Sequence, residues 1–238
     1  MRKHSLGAAA HSGSWSPRFK IAAERKPNTG KTGRKNTPFM SWFPTVKGEP
    51  RMEGLRHYFH KDMAMILDAR PCVVAWTADT APIRFEGSSG VLEFMPDFRV
   101  DEEDRTYWLR LLPPDTTRSE ATAERHGAAD DAYRSRGESL TVMTAEEVAA
   151  HPQLPTAREV FLNRGRDWPE ELPGAVADTW GDDCPTTLGD IHASTGGGRE
   201  AWLQLLSLVS LGHVLIDMDS GLDADTPVLA CRLWGYRR

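Results

Sequence analysis

The segment Met95-Pro96-Asp97-Phe98-Arg99-Val100 places one carboxylate in an otherwise apolar strand, and Tyr107-Trp108-Leu109-Arg110-Leu111-Leu112 follows as a second apolar strand after a short acidic turn. A strand ending in Pro-Asp, beside a strand that carries further polar groups, is one way to assemble a divalent-cation site for phosphodiester hydrolysis. That chemistry needs Mg²⁺ held by carboxylate oxygens, to polarise the phosphate and supply a metal-bound water. A lysine commonly orients that water and offsets developing charge. The first strand keeps its carboxylate, so Asp97 is the candidate catalytic residue and metal ligand. The second strand offers Arg110 and Leu112 where a carboxylate or amide and a lysine are needed. Leu112 binds neither a cation nor a water. No cofactor is therefore expected, and Mg²⁺ only if the chain is active.

Relocated ligands are the alternative. Glu53 precedes His60 by seven residues and shares its helix face if the helix starts early. His57 and His60, three apart, together with Asp97 form a candidate transition-metal set. The plainer reading makes His60 part of a polar helix surface and gives Asp97 to Arg110 as an ion pair, which satisfies a buried carboxylate without a cation.

Other motifs fall away on inspection. Asn28-Thr29-Gly30-Lys31-Thr32 looks like the end of a phosphate loop, but Arg25 stands where its first glycine belongs and no strand precedes it. Asp217-Met218-Asp219-Ser220-Gly221 opens like a calcium loop, yet its glycine comes one place early and the twelfth position is Val228. It reads as a solvated turn. Trp168, Trp180, Trp202 and Trp234 show no base-stacking pattern and are expected in the core.

The 238 residues suffice for one large domain or a moderate and a small one, and 39% hydrophobic with 26% charged content is that of a globular protein. No apolar run reaches the roughly 18 residues of a membrane span, and Leu6-Gly7-Ala8-Ala9-Ala10 is too short for a signal-peptide core. Three widely spaced cysteines, Cys72, Cys184 and Cys231, argue against a disulfide framework or zinc ribbon and for a reducing compartment. The chain reads as cytoplasmic, with no membrane partner.

Charge is unevenly distributed. Residues 1–51 carry eleven Lys or Arg against two acidic residues, whereas the rest carries 18 against 32. Within this region, residues 1–38 are rich in Gly, Ser, Lys and Pro and read as a basic arm without fixed structure. Arg18, Lys20, Arg25, Lys26, Lys31, Arg34 and Lys35 make it a candidate holder of DNA phosphates through counterion release. The competing reading is a solubilising tail.

The elements that must position Asp97 are legible from periodicity. Phe59, Met63, Ile66 and Leu67 mark a helix over 56–67, and Cys72 to Trp76 a strand. Ile83-Arg84-Phe85 and Val91 to Phe94 flank a Gly-Ser-rich turn as hairpin arms, and the Asp97 strand is expected to continue the second arm. Asp101 to Asp104 should turn the chain into the strand at 107–112. A helix over 117–136 and a strand over 139–143 follow, with Thr144 as the N-cap of the next helix. The order is that of an α/β fold with a mixed sheet flanked by helices. A linker is expected over 163–185. Beyond it, Thr187 to Asp190 cap a short helix, Trp202, Leu205, Leu206 and Val209 mark another closed by Gly212, and Val214 to Ile216 form a strand.

Phe43-Pro44 through Lys47-Gly48, His60-Lys61-Asp62, Arg70-Pro71, Val73-Val74 and Pro96-Asp97-Phe98 together resemble the TnsA-like transposase endonucleases. Leu140 to Glu146, Pro155 to Arg158, Leu211-Gly212 and Asp225 to Val228 extend the resemblance to roughly residues 40–230. It implies a restriction-endonuclease-like domain over 39–162 and a small winged-helix domain over 186–238. It also places His60 at the family's glutamate, Asp97 at its aspartate, and Arg110 and Leu112 at positions whose chemistry is lost. The expectation is a catalytically degenerate, DNA-associated or complex-forming subunit, with DNA and a transposase or other protein as partners. An active Mg²⁺-dependent endonuclease and a protein-interaction scaffold without DNA contact are the alternatives. Arg199 is the only cation near the start of the helix over 202–209, so base reading through that helix is not expected.

Overall fold

The computed structural model describes residues 41–78, 80–87, 90–114, 120–180 and 186–233. The arm, including Arg18, Lys20, Arg25, Lys26, Lys31, Arg34 and Lys35, lies outside the described residues, as do Cys184 and Trp234.

Strands β1 (Ser41–Thr45) and β2 (Arg51–Leu55) pair as an antiparallel hairpin that leads into helix α1 (Tyr58–Ala69). Glu53 lies on β2 and shares no helix face with His60, because α1 begins only at Tyr58. Four strands form the central sheet in the order β3 (Val73–Thr77), β6 (Phe98–Glu102), β7 (Thr106–Leu112), β8 (Ser139–Thr144). The first two pairings are antiparallel and β7–β8 is parallel, so the fold is α/β with a mixed sheet. The parallel step needs a crossover, and α2 (Glu120–Arg134) supplies it.

Helices cover both faces. Phe98, Val100, Tyr107, Leu109 and Leu111 point with period two into the core that also buries Phe59, Met63, Ile66 and Leu67 of α1. On the other face Trp108 stacks on Tyr133 of α2, with ring centroids 5.2 Å apart. That second cluster also takes Phe94 and Ala129, with Ile83 and Phe85 from a separate two-stranded ribbon, β4 (Ile83–Gly87) and β5 (Gly90–Phe94).

The Asp97 strand does not continue this ribbon. β5 ends at Phe94 and pairs only with β4, while β6 begins at Phe98 in the central sheet. Pro96 has no N–H with which to continue a ladder, and the chain changes sheets across Met95–Asp97. Asp101 and Glu102 belong to β6, so the acidic turn is shorter than its composition suggested.

Thr144 caps α3 (Ala145–Ala149) through a reciprocal box with Glu147, as the Thr-x-x-Glu spacing anticipates. Then come α4 (Leu154–Leu162) and, inside the expected linker, α5 (Leu172–Thr179), which buries Leu172, Val176 and Ala177. Thr187 and Asp190 form a second capping box at the start of α6 (Leu188–Ser194). Gly189 sits where helix meets loop. A Cβ there would stand 2.7 Å from the Ala224 carbonyl oxygen, so only glycine permits the approach. Helix α7 (Gly198–Ser210) closes with Gly212 at φ 74°, its N–H on the Val209 carbonyl at 2.9 Å and the His213 N–H on Leu208 at 3.0 Å, a Schellman motif. β9 (Val214–Ile216) and β10 (Val228–Cys231) pair antiparallel. Trp168, Trp180 and Trp202 pack partly buried against the core.

One buried charge ties these parts together. Asp68, 1% exposed at its side chain, accepts from Thr45 Oγ1 of β1 at 2.5 Å and Trp76 Nε1 of β3 at 3.0 Å. It also pairs with Arg164 beyond α4, whose guanidinium reaches the Pro44 and Ser210 carbonyls. Arg164 lies over the Phe161 and Phe43 rings, 5.0 and 5.8 Å from their centroids. Four elements thus meet at one carboxylate. Arg164→Met leaves that charge without its cation and should lower stability by about 3–5 kcal/mol in urea unfolding. Asp68→Asn combined with Arg164→Met should cost clearly less than the sum of the single changes. Simple additivity would show that the two groups do not interact.

Candidate functional site

Asp97 lies at the mouth of the sheet, where β6 begins. Its backbone N–H continues the ladder onto the Leu109 carbonyl at 2.7 Å. Its side chain accepts the Leu111 N–H at 2.7 Å through Oδ2, so the carboxylate continues the contacts to β7 just ahead of the ladder. Arg110 closes the other side. Its Nη1 lies 3.1 Å from Asp97 Oδ1, 3.3 Å from Oδ2 and 3.2 Å from the Met95 carbonyl oxygen. One guanidinium therefore holds both the charge and the chain entering β6. The Asp97 side chain is only 5% exposed, and that of Arg110 32%.

His60 approaches from α1, with Nε2 3.7 Å from Asp97 Oδ1. That exceeds hydrogen-bond length. The geometry alone would suggest an ion pair, but burial, helped by His57, Arg56 and Arg110, pushes the imidazole down to about 3. At neutral pH His60 is therefore an uncharged ring, edge-on to Phe98 at 5.6 Å. It is 4% exposed, so the expectation of a polar helix surface fails. The helix runs through the interior, covered on more sides than one apolar stripe implied. His57 precedes α1 as its N-cap residue without capping through its side chain. Burial, then Arg56 and Arg110, lower its affinity for protons, opposed by Asp97.

Burial pushes the Asp97 carboxyl above its ordinary value, while Arg110, the Leu111 N–H, Arg56 and His57 pull it back. The charge is costly to hold and is met by fixed donors. Leu112, two residues beyond Arg110 on β7, is buried and apolar.

These residues do not fit a divalent cation. Both carboxylate oxygens of Asp97 already face positive or N–H donors, the neighbouring strand position is a guanidinium, and the next is a leucine. Among the described residues no group of three or more His, Cys, Asp or Glu is placed to hold a metal ion. Glu53 is engaged on β2, where it accepts from Arg51 Nε at 2.5 Å and from the Ala78 N–H at 3.1 Å.

The remaining expected sites divide as follows. Arg199 and Glu200 are exposed at the start of α7, and Glu200 lies 3.6 Å from Arg166. The second half of α7, Leu205 to Ser210, is buried throughout, which leaves little of that helix to enter a DNA groove. Asp217 accepts the Asp219 N–H and the Ser220 hydroxyl, so its oxygens close their own turn. Sequence reasoning missed the buried groups Thr45, Lys47 and Asp68 and the partly buried Arg164. Asp68 sits next to the apolar stripe of α1, and its partners Trp76, Thr45 and Arg164 lie 8, 23 and 96 residues away, so no helical or strand period marks them. No helix among the described residues is long and apolar enough to cross a membrane.

No protein-family model matches the chain, and no curated protein matches it.

Two stability measurements check this geometry. Arg110→Met should cost about 2 kcal/mol, less than for a fully buried pair because the guanidinium is partly hydrated. Restoring charge balance with Asp97→Asn should recover part of that loss. For His60, the neutral ring is favoured in the folded state while the unfolded ring titrates near 6.5. Its contribution is complete above pH 6.5 and is lost as pH falls towards 3. The raised Asp97 works in the opposite direction as pH falls, so the comparison must be with a variant. Between pH 6 and 4 the wild type should lose up to about 1.4 kcal/mol per pH unit more than His60→Gln. Parallel stability curves would show that His60 titrates normally.

Proposed function

We propose that this chain is a catalytically degenerate relative of the TnsA-like transposase endonucleases, with a restriction-endonuclease-like domain followed by a winged-helix-like one. It acts as a DNA-associated or complex-forming subunit of a transposition-like process. The observation that carries this reading is the closure of Asp97. The one carboxylate at the expected ion-site position is bridged by Arg110 and bonded by the Leu111 N–H. The order of elements agrees with the reading: a helix carrying His60, an antiparallel group containing the Asp97 strand, and a crossover helix to a parallel strand. So does the following set of two helices and a hairpin. DNA association rests on the basic arm, whose cations are the densest in the chain.

Incubation of supercoiled plasmid with the protein and Mg²⁺ or Mn²⁺ should leave it intact. Nicking that disappears in Asp97→Ala would replace this reading with that of an active metal-dependent endonuclease. Duplex DNA should bind at low salt and release steeply as salt rises. Deletion of residues 1–38 should weaken binding by about tenfold or more and flatten the salt dependence. Binding that is undetectable, or unchanged by the deletion, would leave a protein-interaction scaffold as the better reading.

A further inference from the structure

A cavity of about 190 Å³ opens at the other end of α1, between that helix and the core face of β7 and β8. It is separate from Asp97, which lies near the start of α1. Met63, Ile66, Leu67, Leu109 and Met143 form its apolar walls. The polar lining is Arg70, Arg105, Tyr107, Ser139, Thr141 and His151, all able to donate hydrogen bonds. No carboxylate lines it, although residues 52–238 carry 32 acidic side chains. The cavity therefore has a polarity opposite to that of the body around it.

The donors are arranged by neighbours outside the cavity. Glu102 lies behind them and takes Arg105 Nε at 2.7 Å, with Arg70 Nη2 at 4.0 Å. One carboxylate faces two guanidiniums, which keep spare N–H groups, while Asp104 acts on Arg105 and Asp219 on His151 from outside the lining. His151 Nδ1 accepts the Gln153 N–H at 3.2 Å, so the neutral ring carries its proton on Nε2. Arg70 is also the C-cap residue of α1, its backbone N–H on the Ile66 carbonyl at 3.0 Å.

We propose that this cavity binds a small carboxylate with a short apolar chain, its chain against the Met63–Ile66–Met143 wall and its oxygens on Arg70 and Arg105. An apolar cavity of about 150 Å³ takes a six-carbon ring, so this space suits a chain of five or six carbons with the carboxylate at the mouth. The site makes no use of Asp97 or the arm, so it stands or falls independently of the reading above.

Hexanoate, titrated into the full chain by calorimetry, should bind at one saturable site with roughly millimolar affinity. Hexan-1-ol, which has the chain without the charge, should bind about tenfold or more weakly. Arg105→Met, which leaves Glu102 facing Arg70 and Cys72, should weaken hexanoate by about tenfold in a protein whose unfolding midpoint is measured alongside. Thr141→Trp, at an exposed position of the lining, should block the cavity and abolish binding. Absence of saturable hexanoate binding to the wild type would overturn the proposal. So would equal affinity for hexanol, or binding that survives Thr141→Trp in a protein with unchanged unfolding midpoint.

Discussion

A carboxylate taken out of water has to be met by a cation or by several fixed donors, and this chain buries several. The side chains of Glu53, Asp68, Asp97 and Glu102 are each no more than 5% exposed. Each meets an arginine: Arg51, Arg164, Arg110 and Arg105 in turn. Each also takes a further donor from backbone or side chain: the Ala78 N–H, Thr45 and Trp76, the Leu111 N–H, and Cys72. Asp97 is therefore satisfied in the same way as carboxylates whose role is to join elements. Both of its oxygens face fixed donors, Arg110 on the two together and the Leu111 N–H on Oδ2. The arginine also has a second task, on the Met95 carbonyl, which links charge compensation to the change of sheet before β6.

Helix α1 carries the consequences to both ends of the molecule's core. Its first turn sets neutral His60 beside Asp97, its last turn sets Asp68 among β1, β3 and Arg164, and its end lines the cavity with Arg70. Near Asp68, Lys47 donates to the Arg70 carbonyl at 2.9 Å, and burial lowers its pKa to about 8 although Asp68 opposes the shift. The unfolded lysine titrates near 10.4, so stability from this group should rise with pH between about 8 and that value. Such buried polar groups restrict how α1 can rotate, because a turn of the helix would leave His60, Asp68 or both without their surroundings.

Elements with a clean period or a cap are legible in the sequence alone. The stripe of Phe59, Met63, Ile66 and Leu67 gave α1, the alternation at 107–111 gave β7, and Thr144 and Thr187 announced their capping boxes. The Asp97–Arg110 contact was also legible, because the two residues lie on adjoining strands. What escaped was non-local. The ribbon β4–β5 and strand β6 run on in sequence but belong to different sheets, and only Pro96 hints at the break. Helix α5 hides in a segment whose prolines and glycines suggested a linker, since Pro173 fits the first turn of a helix. His60 looked like a surface residue because a helical stripe shows one buried face, whereas α1 is packed on several. The arginine partner of Asp68 lies 96 residues away and leaves no trace in spacing.

Titration of Mn²⁺ into the full chain and into Asp97→Ala, followed by the resonance of the free ion in electron paramagnetic resonance, tests the central claim most directly. If Arg110 and the Leu111 N–H hold the position a cation would take, the two proteins should leave the same amount of Mn²⁺ free at every concentration. One equivalent of Mn²⁺ taken up by the wild type and lost in Asp97→Ala would contradict the account.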